Sequence, residues 1–300
     1  MANRMKAAIF VEPGRIVLDE KPIPEPGPLD ALMQITTTTI CGTDVHILKG
    51  EYPVARGLTI GHEPVGVIEK LGSAVQGYRE GQRVIAGAIT PSGYSNACLY
   101  GCLSQDGRSG KHGFKALGGW RFGNTIDGSQ AEYVLVPDAM ANLAVVPDDL
   151  TDEQVLMWPD IMSTGFAGAE SGGIRLGDTV AVFAQGPIGL CASAGAKLIG
   201  ATTVIGVDGI AKRQDAGAAH LRQRMLDLAV AGSALLHQFV HGGLVKYLAH
   251  RHRLLLYNLE QRGPSCAYFG LGGPQTLYGA SPINSWWWSL DILHGQPRRL

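Results

Sequence analysis

Residues 179–208 constrain this chain more tightly than any other stretch. Thr179–Ala184 is an apolar run of strand length, and Gly186-Pro187-Ile188-Gly189 punctuates it as a turn. A small-residue helical segment follows to about Ile199, and Thr203–Val207 is a second apolar strand that ends at Asp208. Strand, crossover helix and strand of these lengths make a βαβ unit, whose two strands lie parallel in one sheet. Upstream the texture differs. From Lys6 to about Asp149, short β-rich runs such as Lys6–Val11, Leu32–Thr38, Val65–Glu69 and Arg83–Ala86 are cut by Gly and Pro. The expected architecture is α/β: an irregular β-rich domain over residues 1–150, then an interdomain helix and the first βαβ unit over 151–214.

Residues 215–300 read differently again. Six of the nine histidines lie there with Trp286, Trp287 and Trp288, and the strand-helix alternation that a parallel sheet needs fades. A divergent natural segment and a frame-shifted continuation both account for this, so the sheet is expected to be incomplete or altered after residue 214. Gly272-Gly273 resembles a further Gly-rich turn, but a plain loop is the better reading.

Three hundred residues can bury a core large enough for one large or two ordinary domains. The 25 basic residues nearly balance the 26 acidic ones, which excludes a strong overall field toward nucleic acid or an anionic membrane and points to a small-molecule partner. No apolar run is long enough to cross a bilayer, and the first residues lack a secretory segment; a cytoplasmic location is expected. Five irregularly spaced cysteines then suit reduced thiols or metal ligands better than a disulfide framework.

The chemistry concentrates in Cys41-Gly42-Thr43-Asp44-Val45-His46 and in Gly61-His62-Glu63. A thiolate and an imidazole from separate loops suit tetrahedral zinc, and a catalytic zinc takes three protein ligands and keeps one position open. Asp160, in Trp158-Pro159-Asp160-Ile161-Met162, is the candidate third ligand beside Cys41 and His62. Glu63 reads either as an outer carboxylate or as a ligand that exchanges with the open position, and Asp44 as a group that could orient His62. Taken singly, a Cys or His here is more often a packed side chain than a ligand, and a neighbouring carboxylate is usually solvated.

Their joint spacing is specific. Gly61-His62-Glu63, Gly66, Gly72 and Val75, with Thr90-Pro91, Gly118-Gly119-Trp120, Asp127-Gly128 and Asp160-Ile161-Met162-Ser163-Thr164-Gly165, resemble the zinc-containing medium-chain alcohol dehydrogenases, and most closely their bacterial secondary-alcohol branch. The resemblance runs from Met5 to about Asp208. It implies a GroES-like catalytic domain followed by a Rossmann-type domain, and hydride transfer between a small, secondary alcohol or its carbonyl partner and NAD or NADP. By resemblance one catalytic Zn2+ is held by Cys41, His62 and Asp160, with Glu63 close by, and Thr43 and His46 form a hydroxyl-to-imidazole proton relay. Thr164 and Gly165 would line the nicotinamide site and Trp120 the substrate pocket. No structural zinc is expected, because only Cys98 and Cys102 occur where relatives carry four cysteines. A homo-oligomer, tetramer or dimer, is implied.

Gly186, Pro187, Ile188 and Gly189 suit the phosphate-binding turn of a dinucleotide site, with Ala184 where the first glycine of Gly-x-Gly-x-x-Gly is expected. Asp208, at the end of the next strand, favours NAD over NADP because a carboxylate repels a 2′-phosphate, while the nearby Lys212 and Arg213 leave dual use open. Two rivals stand beside the enzyme: a catalytically impaired zinc-binding homologue with a half-built cofactor domain, and a zinc-free reductase, which Cys41, His62 and Asp160 argue against.

Overall fold

The computed structural model describes residues 4–108, 113–221, 224–227, 253–258 and 265–269. The first half is β-rich. Strands β1 (Arg4–Glu12) and β2 (Arg15–Pro22) form an antiparallel pair, and β3 (Ala31–Thr37), β4 (Val65–Leu71), β5 (Arg83–Ala86), β6 (Tyr133–Val136) and β7 (Leu143–Val145) form a second sheet in the order β6-β3-β4-β5-β7. All pairings within that sheet are antiparallel. Helix α1 (Gly42–Leu48) follows β3, and three one-turn helices, α2 (Asn96–Leu99), α3 (Ala139–Asn142) and α4 (Asp152–Val155), punctuate the loops.

The sheet's inward face carries Ala31, Met33, Ile68, Val84, Ala86, Val134 and Val136, all buried with Phe122. Alternate residues of strands reach one face, so burying this set fixes the register; each large aliphatic side chain contributes about 1.5–3 kcal/mol. A second apolar group, Val65, Ile85, Val146 and Val155, lies where the sheet meets the segment leading out of it.

That segment ends in a π-helical turn, Trp158–Met162, which runs directly into α5 (Ser163–Ser171). Strand β8 (Thr179–Phe183), helix α6 (Pro187–Ile199), strand β9 (Thr203–Asp208) and helix α7 (Ala211–Leu221) follow. The sequence reading places β8 and β9 within one residue of these bounds and ends α6 at the same residue, but the helix starts inside the Gly186–Gly189 turn, at Pro187. Strands β8 and β9 are parallel, with Thr179 opposite Thr203 and Phe183 opposite Val207. Val180, Val182, Ala192, Ala196 and Val204 form the buried layer between strands and helix, and Ala169 of α5 joins it.

Residue 214 lies inside α7. Beyond it the structure describes β10 (Arg224–Asp227), parallel to β9, then β11 (Arg253–Asn258), parallel to β8, and β12 (Ser265–Phe269), antiparallel to β11. The order β10-β9-β8-β11-β12 extends the sheet to both sides of the βαβ unit. The other residues of 222–300, with Gly272-Gly273 and Trp286–Trp288, lie outside the described residues. Among the described residues, no helix is long and apolar enough to cross a membrane.

The loop between β5 and β6 is organised around Asp106. This carboxylate is buried and accepts the backbone N–H of Ser92 at 2.6 Å and of Arg108 at 2.7 Å. Burial alone would raise its pKa, but hydrogen bonds from Ser95, Ser92 and Arg108 outweigh it and hold the carboxyl below the ordinary 3.8. Cys98 is tied to the same loop by the Ser95 hydroxyl, 3.3 Å from its sulfur. Removing the carboxylate strands two N–H groups, so Asp106→Ala is expected to cost about 1–3 kcal/mol in urea unfolding at neutral pH. A group with a lowered folded pKa stabilises above its unfolded value and loses that contribution as pH falls through the folded one. The gap between parent and variant should therefore narrow below the ordinary 3.8; a pH-independent gap would contradict the ionised hub.

Candidate metal and dinucleotide site

Four residues from three parts of the chain meet at one point. Cys41 caps the N-terminus of α1 in an extended conformation. His62 and Glu63 lie in the connection that enters β4, and Asp160 sits in the π-helical turn. One ligand-capable atom from each of Cys41, His62, Glu63 and Asp160 lies within 4.8 Å of every other. Such convergence within 5 Å, from positions up to 119 apart in sequence, gathers the thiol, the imidazole and both carboxylates singled out in the sequence.

Local structure explains how each group arrives. Gly61 has φ +95°, and a Cβ there would fall 2.6 Å from Gln130 Cγ and 2.8 Å from Gln130 N. Only glycine tolerates both the left-handed backbone and that approach, so the turn delivering His62 depends on it. Asp44 reaches back to the helix start: its Oδ2 accepts the Cys41 N–H at 2.9 Å and the Gln130 amide at 3.0 Å. Asp44 thus holds the Cys41 backbone, and it also meets the backbone of Gly61, which precedes His62, and attracts the His62 ring electrostatically. Sequence reading gave no role to Gln130, because its partner is 86 residues away and no local spacing betrays it.

The electrostatics of the cluster favour a cation. His62 is 4% exposed, and its Nε2 lies 3.2 Å from Asp160 Oδ2. Burial pushes the imidazole pKa down, yet hydrogen bonding and attraction from Asp160 and Cys41 outweigh it and hold His62 well above its ordinary value. Burial likewise works against ionised Asp160, but the hydrogen bonds from His62 and Thr164 leave its carboxyl lowered. Glu63 is 1% exposed, and among the described residues neither carboxylate oxygen has a hydrogen-bond partner. Burial first, then repulsion from Asp160 and Asp44, push its carboxyl up to about 7 against the pull of His62. A buried carboxylate without donors is costly unless a proton or a cation meets it. Thiolate, imidazole and carboxylate together are a donor set for Zn2+, so the residues fit that ion.

The surroundings of the cluster include groups the sequence did not connect. Thr43 Oγ1 accepts from the Cys41 thiol at 3.7 Å. His46 Nδ1 pairs with the Glu51 carboxylate. Tyr52 packs edge-to-face against both His46 and Trp120, with ring centroids 5.9 and 5.5 Å apart. Trp120 in turn stands 6.5 Å from the His62 ring, so it does lie beside the cluster. Glu51 and Tyr52 follow His46 closely in sequence, but residues five and six apart share a surface only through the turn that ends α1.

The second half of the site is the turn between β8 and α6. Gly186 caps α6, Pro187 occupies its first turn, and a Cβ on Gly189 would fall 1.8 Å from the Ala184 carbonyl oxygen. That clash confines residue 189 to glycine and leaves helix N–H groups facing outward from the turn. Ala184 takes φ +65°, the left-handed conformation that a glycine would adopt freely. Asp208 is 4% exposed; its Oδ2 accepts the Gln185 N–H at 2.6 Å and its Oδ1 the Ile210 N–H at 2.8 Å, with Arg213 Nη1 3.7 Å from Oδ2. The carboxylate therefore braces the turn as well as ending β9. Thr164 donates to Asp160 Oδ1 at 2.8 Å, and Gly165 is buried against α6, where a Cβ would fall 2.6 Å from Cys191 Cβ. Ile188 is half-buried in the first turn of α6.

Comparison with known proteins agrees with this arrangement. Residues 27–148 match the family described as the alcohol dehydrogenase GroES-like domain. An alcohol dehydrogenase of Cupriavidus necator is 73% identical over 216 residues, covering 70% of this chain and 59% of its own. The NADP-dependent isopropanol dehydrogenase of Thermoanaerobacter brockii is 39% identical over 204 residues, 68% of this chain and 56% of its own. The chain thus spans less than two thirds of the length of these relatives. Among solved structures, zinc-dependent alcohol dehydrogenase 2 from Streptococcus pneumonia, in its apo form, superposes with a TM-score of 0.68 at 31% identity, covering 78% of this chain and 65% of that one.

The left-handed alanine generates a direct test. Ala184→Gly relieves the steric cost of φ +65° at some expense in chain entropy, and is expected to stabilise the protein by about 0.5–1 kcal/mol. A lower midpoint in thermal or urea unfolding would show that the turn does not adopt this conformation.

Proposed function

We propose that this chain, which over the two thirds that align belongs to the zinc-containing medium-chain alcohol dehydrogenase family, interconverts a small secondary alcohol and its carbonyl partner by hydride exchange with a nicotinamide dinucleotide. The observation that carries this reading is the convergence of Cys41, His62, Glu63 and Asp160 within 4.8 Å, with both Glu63 oxygens buried and without hydrogen-bond partners among the described residues. Cys41, His62 and Asp160 would hold one catalytic Zn2+, with Glu63 beside it, close enough to serve as an exchanging ligand or to balance charge. Bound there, zinc supplies a Lewis acid for the substrate oxygen, and the nicotinamide supplies the hydride acceptor or donor.

The chain's own residues supply position and proton traffic. Gly186, Pro187, Ile188 and Gly189 would receive the pyrophosphate on the helix N-terminus, while Thr164 and Gly165 would border the nicotinamide. Trp120 stands against His62 and is itself backed by Tyr52, so the pair would border the substrate position on that side. A proton leaving an alcohol would pass by Thr43 Oγ1 to His46. Glu51 occupies His46 Nδ1, so Nε2 is the atom left to accept it. Asp208 supports NAD as the preferred dinucleotide, since its carboxylate would repel a 2′-phosphate; the isopropanol dehydrogenases named as NADP-dependent make NADP the comparison to measure. Asp106 accepts the backbone N–H groups of Ser92 and Arg108 and so organises the loop that carries Cys98 and Cys102. The inert alternative has no observation of its own among the described residues.

The test is joint. Cys41→Ser and Asp160→Asn are each expected to lose zinc and isopropanol oxidation together, while His46→Ala keeps zinc and slows turnover by roughly 100-fold or more. Retained zinc with undiminished turnover in either ligand variant, or absence of NADH fluorescence enhancement in the parent, would reject the proposal.

A further inference from the structure

Asp160 and Thr164 stand one turn apart where the π-helical turn becomes α5. The Thr164 hydroxyl donates to Asp160 Oδ1 at 2.8 Å, which leaves Oδ2, 3.2 Å from His62 Nε2, as the oxygen turned toward the cluster. We infer that Thr164 is a positioning residue that selects which Asp160 oxygen meets the metal and holds it there. This rests on the reading of Asp160 as a zinc ligand.

The geometry around the pair supports a dedicated contact. A threonine within a helix ordinarily turns its hydroxyl to the carbonyl three or four residues back. Here Ser163 takes that place, with its hydroxyl 3.0 Å from the Asp160 carbonyl and 3.4 Å from that of Pro159, and Thr164 is directed to the carboxylate. The π turn sets the backbone: Met162 N–H bonds the Met157 carbonyl at 2.7 Å, and the Pro159 carbonyl accepts the Ala88 N–H at 3.0 Å from the loop after β5. The backbone of Asp160 is thus pinned from the β-rich side, and its side chain from α5. An aspartate turns broadly about its last torsion, so without the hydroxyl either oxygen, or both, could face the cluster.

Thr164 also joins two parts of the site. Its neighbour Gly165 packs against α6, where a Cβ would lie 2.9 Å from the Ile188 carbonyl oxygen, and α6 begins at the dinucleotide turn. The ligand's orientation is therefore set by the helix pair that also carries the phosphate-binding turn.

The experiment measures metal binding on the full chain, independent of turnover. Zn2+ affinity is read by competition with a chromophoric chelator, and ligand geometry from the visible d–d bands of the Co2+-loaded protein, for the parent and for Thr164→Val, Thr164→Ala, Thr164→Ser and Asp160→Asn. Thr164→Val and Thr164→Ala are expected to weaken Zn2+ binding by roughly 10–100-fold and to shift the Co2+ bands. Thr164→Ser, which keeps the hydroxyl, should match the parent in both. Should the valine and alanine variants bind Zn2+ like the parent with unshifted bands while Asp160→Asn loses it, the positioning role is overturned and the ligand assignment survives. Unchanged binding by Asp160→Asn overturns both.

Discussion

The site depends on one contact between separate parts of the chain, the approach of Asp160 Oδ2 to His62 Nε2 at 3.2 Å. His62 comes from the entry to β4 in the β-rich half, and Asp160 from the turn that leads into the helix pair of the parallel-sheet half. His62 is too deeply placed to be stable as an isolated charge, and partly buried Asp160 compensates it. Much of the surrounding structure serves to bring these two atoms together. Gly61 permits the tight turn before His62, the π turn aims Asp160, and the apolar group of Val65, Ile85, Val146 and Val155 closes the seam beside them.

The polar groups of the site are held in tiers. Asp44 and Gln130 fix the Cys41 backbone, Thr164 fixes the Asp160 carboxylate, and Glu51 fixes the His46 ring. Glu63 stands outside this pattern, since both of its oxygens are buried without a donor among the described residues. A packed protein rarely leaves a carboxylate so placed, and a divalent cation bound by its neighbours would compensate it. The same economy appears at the dinucleotide turn, where Asp208 accepts two backbone N–H groups and braces the loop that would meet the phosphates.

Much of this was legible from residue order. The βαβ unit of β8, α6 and β9 showed in its apolar runs and glycine punctuation, because strand and helix periodicities are local properties. Cys41, His62 and Asp160 were recognisable by residue type and spacing, and the structure does bring their ligand atoms together with that of Glu63. Other relations were not legible. The bond from Gln130 to Asp44 spans 86 residues, and β11 pairs with β8 across a long intervening stretch that carries no register signal of its own. The bond from Asp44 to the Cys41 backbone was likewise invisible, because sequence proximity does not tell which atom a carboxylate will meet.

Sequence alone determined the kinds of chemical group available and the local elements that carry them: a thiol and an imidazole on separate loops, a carboxylate beside a proline, and a glycine turn between strand and helix. These follow from side-chain identity and from backbone preferences within a few residues. Tertiary structure alone decided which oxygen of Asp160 faces His62, which backbone Asp44 and Asp208 satisfy, and that Glu63 is left without a donor. Those outcomes depend on distances between segments far apart in the chain, and only packing sets such distances to within the few tenths of an ångström that hydrogen bonds and metal ligands require.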